Sequence, residues 1–170
     1  ELGLATIPVA TGTDGGSDKH TDTFSDTAGT YMPPADDFSA PDGQEMLLQQ
    51  YIAAPASGLS LLCISSLKDA ALFVRENEAL FVEKTRKVTI MGGVEPFDAA
   101  DEESYLVPDS AQNNVFDKAA GEFFYRRCQE LKVPLIVVSR HAAYKCPMPR
   151  NIYDDMARTN HPIGNRLRDS

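Results

Sequence analysis

The segment Lys87-Val88-Thr89-Ile90-Met91-Gly92-Gly93 is a short apolar run that stops at two consecutive glycines. This pattern predicts a β-strand that ends in a tight turn. Two further runs, Leu59–Ser65 (LSLLCIS) and Leu135–Val138 (LIVV), are short and continuously apolar. Such runs are typical of parallel strands that are covered on both faces. An earlier run, Ile7–Ala10, predicts one more buried strand.

Helical patterns separate these strands. Apolar residues recur at helical spacing between Met46 and Ile52, and a second helix begins near Ser66 and breaks around Glu76-Asn77-Glu78. An amphipathic pattern over Lys118–Lys132 predicts a third helix. The alternation of strand and helix predicts an α/β fold with a mainly parallel open sheet flanked by helices.

The length of 170 residues predicts a single domain over residues 1–170. Two long polar segments interrupt it, at about residues 11–43 and 94–113. The first is rich in Gly, Ser, Thr, Asp and Pro, and the second carries an acidic run at Asp98, Asp101, Glu102 and Glu103. Loops of this length inside a compact domain are uncommon and are usually functional or disordered.

The charge balance and the cysteines limit the class of protein. Sixteen Lys and Arg residues stand against 25 Asp and Glu residues, a formal net charge of −9, which argues against nucleic acid as a partner. No apolar run approaches the ~20 residues that a membrane span needs. The 3 cysteines show no CxxC spacing, so we expect buried thiols at Cys63 and Cys128 and a cytoplasmic or another reducing compartment.

In parallel open sheets, ligands bind beyond the carboxyl ends of the strands. Gly92-Gly93 lies at such an end, where it either lets the backbone approach a ligand or only forms a tight turn. His141 follows the Leu135–Val138 strand at the same end. It is a candidate catalytic acid, base or ligand-binding residue, and a structural role is the alternative.

The segment Pro108–Asn114 contains Asp109, Asn113 and Asn114 just before a predicted helix. Amide side chains both donate and accept hydrogen bonds, which suits the recognition of neighbouring hydroxyl groups. The alternative is helix capping by Asn113, Asn114 or Asp117.

Five segments, taken in order, carry a family pattern: Leu4–Gly12 (LATIPVATG), Leu59–Ala71 (LSLLCISSLKDAA), Arg86–Gly93 (RKVTIMGG), Pro108–Ala120 and Val133–Val138. Together they resemble the inosine/uridine-preferring nucleoside hydrolase superfamily, in a divergent branch. The resemblance implies a nucleoside hydrolase-like α/β fold, of which this sequence covers the middle and lacks the N-terminal strand and the C-terminal portion.

The resemblance also implies a function, hydrolysis of the N-glycosidic bond of ribonucleosides by a calcium-activated water in the full-length form, as in purine and pyrimidine salvage. The main-chain carbonyl of Lys68 would face the calcium ion. Asn113 or Asn114, together with Asp109, would hold the sugar hydroxyls of a small-molecule nucleoside, and His141 would line the base side of the pocket.

The departures from the family pattern lead to a second hypothesis. The aspartate run that binds calcium is expected before Glu1, and a His-Asp pair is expected beyond Ser170, so both fall outside this sequence. The alternative to an N-glycosidase is therefore a non-catalytic binding or assembly subunit that retains the scaffold without its metal site. A homo-oligomer or a covering partner chain would then cover the open strand edges.

Overall fold

The structure is a computed structural model that describes residues 7–16, 40–98 and 104–169. It divides into two compact units. The described parts of the first unit are residues 7–16, 40–98 and 104–142, and the second unit comprises residues 143–169. Within the described residues, no helix has both the length and the apolar character that a membrane crossing needs.

The first unit contains a parallel sheet of three strands in the order β1 (Leu59–Cys63), β2 (Thr85–Gly92) and β3 (Leu135–Ser139). Each strand matches one of the three apolar runs predicted from the sequence around residues 59–65, 87–91 and 135–138. The register pairs Leu62 with Thr89 and Thr89 with Ile136, so these three side chains share one face of the sheet. The predicted parallel α/β class is confirmed.

The helices between residues 43 and 145 are α1 (Gly43–Ala53), α2 (Lys68–Lys84), α3 (Gln112–Val115), α4 (Lys118–Glu130) and α5 (Arg140–Lys145). Asp117 caps α4, because its Oδ1 atom accepts a hydrogen bond from the Ala120 N–H at 3.0 Å. This confirms the capping alternative for Asp117. The predicted break in α2 is also confirmed, since Asn77 has non-helical angles of φ −132° and ψ 36°.

Helix α4 ends two residues before the predicted limit at Lys132. Lys132 adopts the left-handed conformation with φ 56°. Its N–H donates to the Gln129 carbonyl at 3.0 Å, and the Val133 N–H donates to the Cys128 carbonyl at 2.9 Å. This pair of bonds closes the helix and turns the chain into β3.

The core lies between one face of the sheet and helices α1, α2 and α4. Val88 and Ile90 of β2 are fully buried there, and the helices contribute mainly aromatic side chains. The Tyr51 and Phe73 ring centroids are 4.4 Å apart, and the Tyr51 hydroxyl lies 3.1 Å from the Thr85 hydroxyl, so this buried polar pair is satisfied. The fully buried aromatic residues of the core are Tyr51, Phe73, Phe81, Phe124 and Tyr125.

The opposite face of the sheet is exposed, whereas the sequence predicted strands that are covered on both faces. Leu62 is 63% exposed, Met91 47% and Ile136 46%. Within the described residues, the helices pack on one face only. A continuously apolar strand indicates that both of its faces avoid water, but it does not say which element covers each face.

The prediction of a buried strand at Ile7–Ala10 is wrong. Residues 7–10 form no strand, and Ile7 and Val9 are 55% and 64% exposed. The chain instead makes a single parallel bridge from Thr11 to Asp42, ahead of α1. The Thr11 N–H donates to the Pro41 carbonyl at 3.0 Å, so the backbone partners of this segment lie outside the sheet. Most of the predicted 11–43 loop, residues 17–39, and residues 99–103 of the predicted 94–113 loop lie outside the described residues.

Arg127 on α4 joins α2 through a two-point ion pair with Glu78. The Arg127 Nε and Nη2 atoms donate to the two Glu78 carboxylate oxygens at 2.6 and 2.8 Å. The hydrogen bond from Arg127 lowers the pKa of Glu78 below its ordinary value of 4.5. Because the pKa of Glu78 is lower in the folded state than in the unfolded state, the ion pair with Arg127 stabilises the fold above the ordinary pKa. This stabilisation is lost as the pH falls through the lowered pKa of Glu78.

We therefore expect Glu78→Gln to lose stability near neutral pH and to flatten the acid dependence of unfolding. Urea midpoints measured from about pH 6 to about pH 3 check this, since the wild-type midpoint should fall more steeply than that of the variant. Glu122→Gln is the control, because the Glu122 carboxylate is exposed and lies 3.7 Å from Lys118. Equal slopes for Glu78→Gln and the wild type would contradict the prediction.

The second unit is built on α6 (Arg150–Arg158) and α7 (Pro162–Asp169). The two helices pack closely at Gly164, where a Cβ atom would lie 2.3 Å from the Met156 carbonyl oxygen. Asn160 forms the turn between them with φ 56°. Asparagine tolerates this left-handed conformation better than most residues, which explains its position there.

Candidate functional site

The carboxyl ends of β2 and β3 lie side by side, because Gly92 pairs with Ser139. A short antiparallel contact continues β2 beyond the sheet, with Val94 bridged to Pro108 and the Glu95 N–H donating to the Val107 carbonyl at 2.9 Å. This contact returns the chain to the sheet edge just before Asp109. The sequence segments around Gly93, Asp109 and His141 therefore meet at the end of the sheet where ligands bind in such folds.

Gly93 allows a close approach, and the group that approaches is the carboxylate of Asp109. A Cβ atom on Gly93 would lie 2.3 Å from Asp109 Oδ2 and 2.7 Å from its Cγ. At distances below 3.0 Å one of the two groups must shift, so the Asp109 carboxylate would have to move. The glycine therefore leaves room for this neighbouring side chain.

The Asp109 carboxylate is oriented by donors on one side only. Its Oδ1 atom accepts hydrogen bonds from the Ala111 N–H at 2.8 Å and from Asn114 Nδ2 at 3.2 Å. Its own N–H donates to the Gly93 carbonyl at 3.1 Å. Within the described residues, no hydrogen bond to Oδ2 is observed, so this oxygen retains its capacity to accept.

Asn114 supports Asp109 from inside the protein. It is only 2% exposed, and its Nδ2 atom donates to the Gly93 carbonyl at 2.9 Å and to the Asp109 carbonyl at 3.2 Å. The buried Tyr125 hydroxyl also donates to the Gly93 carbonyl, at 3.4 Å, and burial raises the pKa of Tyr125 to about 12. Tyr125 was not among the predicted site residues, although its place on the buried face of an amphipathic helix was a signal for it.

Asn113 lies between the ends of two strands. Its Nδ2 atom donates to the Met91 carbonyl at 2.8 Å and to the Ile64 carbonyl at 3.3 Å. These carbonyls stand at the carboxyl ends of β2 and β1. The amide nitrogen of Asn113 therefore links the ends of β1 and β2. The residue is half-buried at the sheet edge.

An open cavity of about 580 Å³ lies beside Asp109. Asp109 and Ser110 line this cavity, as do Arg140 and His141 at the start of α5. Pro96 and Phe97 add apolar surface. The structure thus brings two of the predicted site residues, Asp109 and His141, to one cavity, whereas Asn113 and Asn114 are not among its lining residues.

Lys68 and its neighbours form a second cluster, at the end of β1. The Lys68 ammonium pairs with the Asp14 carboxylate. The neighbouring Asp69 accepts hydrogen bonds from the Thr13 N–H at 2.9 Å, from the Thr13 hydroxyl at 3.1 Å and from Gln44 Nε2 at 3.2 Å. Thr13, Asp14 and Gln44 were not among the predicted site residues, because no local pattern links them to residues more than 20 positions away.

The resemblance places the main-chain carbonyl of Lys68 against a calcium ion. Lys68 is the first residue of α2. Its ammonium brings a positive charge to the same edge. Within the described residues, no group of three His, Cys, Asp or Glu side chains could hold a metal ion. Calcium stays a prediction for the full-length protein.

The thiols offer no further chemistry in the first unit. Cys63 and Cys128 are buried and free, as predicted, and burial raises the pKa of each to about 12. They are therefore protonated at neutral pH and act as small apolar side chains. Cys146, in the second unit, is exposed and free.

Solved structures of known proteins match this chain. The type III effector protein XopQ, solved in complex with adenosine diphosphate ribose, is 34% identical with a TM-score of 0.65, over 76% of this chain and 36% of that protein. A second effector protein, XOO4466, is 34% identical with a TM-score of 0.67, over 76% and 35%. The inosine-uridine preferring nucleoside hydrolase from Bacillus anthracis is 18% identical with a TM-score of 0.52, over 76% and 41%. No protein-family model and no curated protein matches the chain.

The chain therefore has the nucleoside hydrolase-like fold, in a divergent and partial form, which confirms the resemblance drawn from its sequence. It spans about a third of the length of the effector proteins, 36% and 35%. Within this fold, its sequence is more similar to the two effector proteins, at 34% identity, than to the Bacillus anthracis enzyme, at 18%.

Proposed function

We propose that the cavity beside Asp109 binds the ribosyl group of a nucleoside or nucleotide. The observation that carries this proposal is the oriented Asp109 carboxylate, with Oδ1 held by two donors at 2.8 and 3.2 Å and Oδ2 left to accept. A carboxylate in this state accepts hydrogen bonds from neighbouring sugar hydroxyls. Because the protein has already oriented the carboxylate, little ordering is left to oppose binding.

The other residues of the cavity suit the rest of such a ligand. Arg140 and His141 supply donors in the same cavity as Asp109, and a guanidinium matches the geometry of a phosphate. Phe97 offers an aromatic surface to a base. The 34% identical effector protein XopQ was solved with adenosine diphosphate ribose, a ligand that combines ribose, phosphate and base. In this proposal Asn114 and Tyr125 position Asp109 and do not contact the ligand.

Binding is tested by isothermal titration with adenosine diphosphate ribose and with inosine. Asp109→Asn is expected to weaken the binding of both by about tenfold or more, because a charged acceptor of the sugar hydroxyls is lost. Glu122→Gln, an exposed carboxylate on α4 outside the cavity, is the matched control and should leave the affinity unchanged. If the folded wild type binds neither ligand, or if Asp109→Asn binds both as the wild type does, the proposal fails.

Hydrolysis of the N-glycosidic bond in the full-length protein is the second candidate, supported by the nucleoside hydrolases among the similar structures. Its test is the release of ribose from inosine or uridine with calcium and after chelation. His141→Ala separates the two candidates, since loss of a catalytic acid or base lowers turnover more than affinity. A ligand that is bound and recovered intact under all conditions favours the non-catalytic alternative.

A further inference from the structure

The loop over residues 11–16 is held against the starts of two helices. Thr13 bonds to Asp69 at the start of α2 through both its N–H, at 2.9 Å, and its hydroxyl, at 3.1 Å. On the other side, a Cβ atom on Gly16 would lie 1.9 Å from the Phe116 carbonyl oxygen, so the loop backbone touches the segment before α4. The loop thus lies between the start of α2 and the segment before α4.

The Lys68 side chain makes an ion pair with an acidic side chain of the loop. The Lys68 ammonium pairs with Asp14, and the same Asp14 oxygen, Oδ1, accepts a hydrogen bond from the Gly16 N–H at 3.3 Å. The pKa of Lys68 is raised, first by its hydrogen bond to Asp14 and then by the charges of Asp14, Asp117 and Asp69. Asp14 therefore pairs with the Lys68 ammonium directly, and the charges of Asp117 and Asp69 favour its charged form.

We infer that the Lys68 ammonium is a built-in cation that positions the 11–16 loop, which therefore forms without a divalent ion. The Lys68 side chain is the group that acts on the loop. Lys68 is a positioning residue, because it acts on the loop through Asp14. This inference does not depend on the ligand proposed for the Asp109 cavity, since its test measures the loop itself.

Amide hydrogen exchange of the Gly15 and Gly16 N–H groups reports on the loop directly. In the structure, Gly15 N–H donates to the Thr13 hydroxyl at 3.3 Å and Gly16 N–H to Asp14 Oδ1 at 3.3 Å. Lys68→Met is expected to accelerate exchange at Gly16 by about fivefold, because Asp14 loses the charge that holds it. Lys68→Arg is expected to restore most of the protection, because it keeps the cation.

Calcium distinguishes a built-in cation from a metal site. Neither millimolar calcium nor a chelator is expected to change exchange at Gly16 in the wild type, and calcium is not expected to restore protection in Lys68→Met. Lys118→Met, which removes an exposed ammonium on α4, is the matched control. Circular dichroism confirms that each variant is folded. Unchanged exchange in Lys68→Met, or a calcium-dependent change in either protein, would overturn the inference.

Discussion

Replacing Phe124 with alanine is expected to lower the free energy of unfolding by about 3–5 kcal/mol, a large share of the ~5–15 kcal/mol that stabilises a typical domain. Phe124 is fully buried on α4, and its ring centroid lies 6.2 Å from that of Phe81 on α2. Truncation would leave a cavity where α4 meets α2 and the sheet. Neighbours fixed in three different elements cannot collapse to fill it.

Chemical denaturation followed by circular dichroism measures this loss as a lower midpoint with a similar slope. Phe97→Ala is the matched control for stability, because it also truncates a phenylalanine. Phe97 is 51% exposed, so its truncation should lower the free energy of unfolding far less. A loss for Phe124→Ala no larger than that for Phe97→Ala would show that the core between α2, α4 and the sheet is not packed as described.

Gly93→Ala is expected to destabilise the protein by about 1–3 kcal/mol and to weaken ribosyl-ligand binding about tenfold or more. The methyl group would lie 2.3 Å from Asp109 Oδ2, so the carboxylate must leave its position. The backbone at Gly93 is not in the left-handed region, so alanine adds no conformational strain of its own. Titration calorimetry and denaturation measure the two losses separately.

A double-mutant cycle tests the cause of these losses. Asp109→Ala removes the carboxylate that the new methyl group would displace, so Gly93→Ala should cost much less stability in that background. A strong coupling between the two substitutions is therefore expected. If Gly93→Ala costs the same stability with and without the Asp109 carboxylate, the overlap between residues 93 and 109 is not its cause.

The sequence predicted the regular elements well where local patterns decide them. The three apolar runs became β1, β2 and β3, and the break at Asn77 and the cap at Asp117 follow from local chemistry. The run Ile7–Ala10 failed as a strand because a strand also needs a partner edge, and the next residue, Thr11, pairs with the segment ahead of α1 instead of the sheet.

The candidate site was predicted only in part. Asp109 and His141 do share a cavity, as their positions at strand ends suggested. The sequence could not separate Asn114, buried beneath the site, from Asp109, which lines it, because both are short polar residues in one segment. Their different burial is set by the tertiary packing around the Gly93 carbonyl, to which both Asn114 and Asp109 donate.

The sequence by itself therefore determined the strands, the helices and the nucleoside hydrolase-like resemblance. Periodicity and local motifs depend only on residues that are close together in the sequence. Only the tertiary structure decided that Gly93 makes room for the Asp109 carboxylate and that the Lys68 ammonium meets Asp14. The physical reason is that these contacts join residues far apart in the sequence, 16 positions for Gly93 and Asp109 and 54 positions for Lys68 and Asp14. Their distances are set by the packing of strands and helices, which no local pattern encodes.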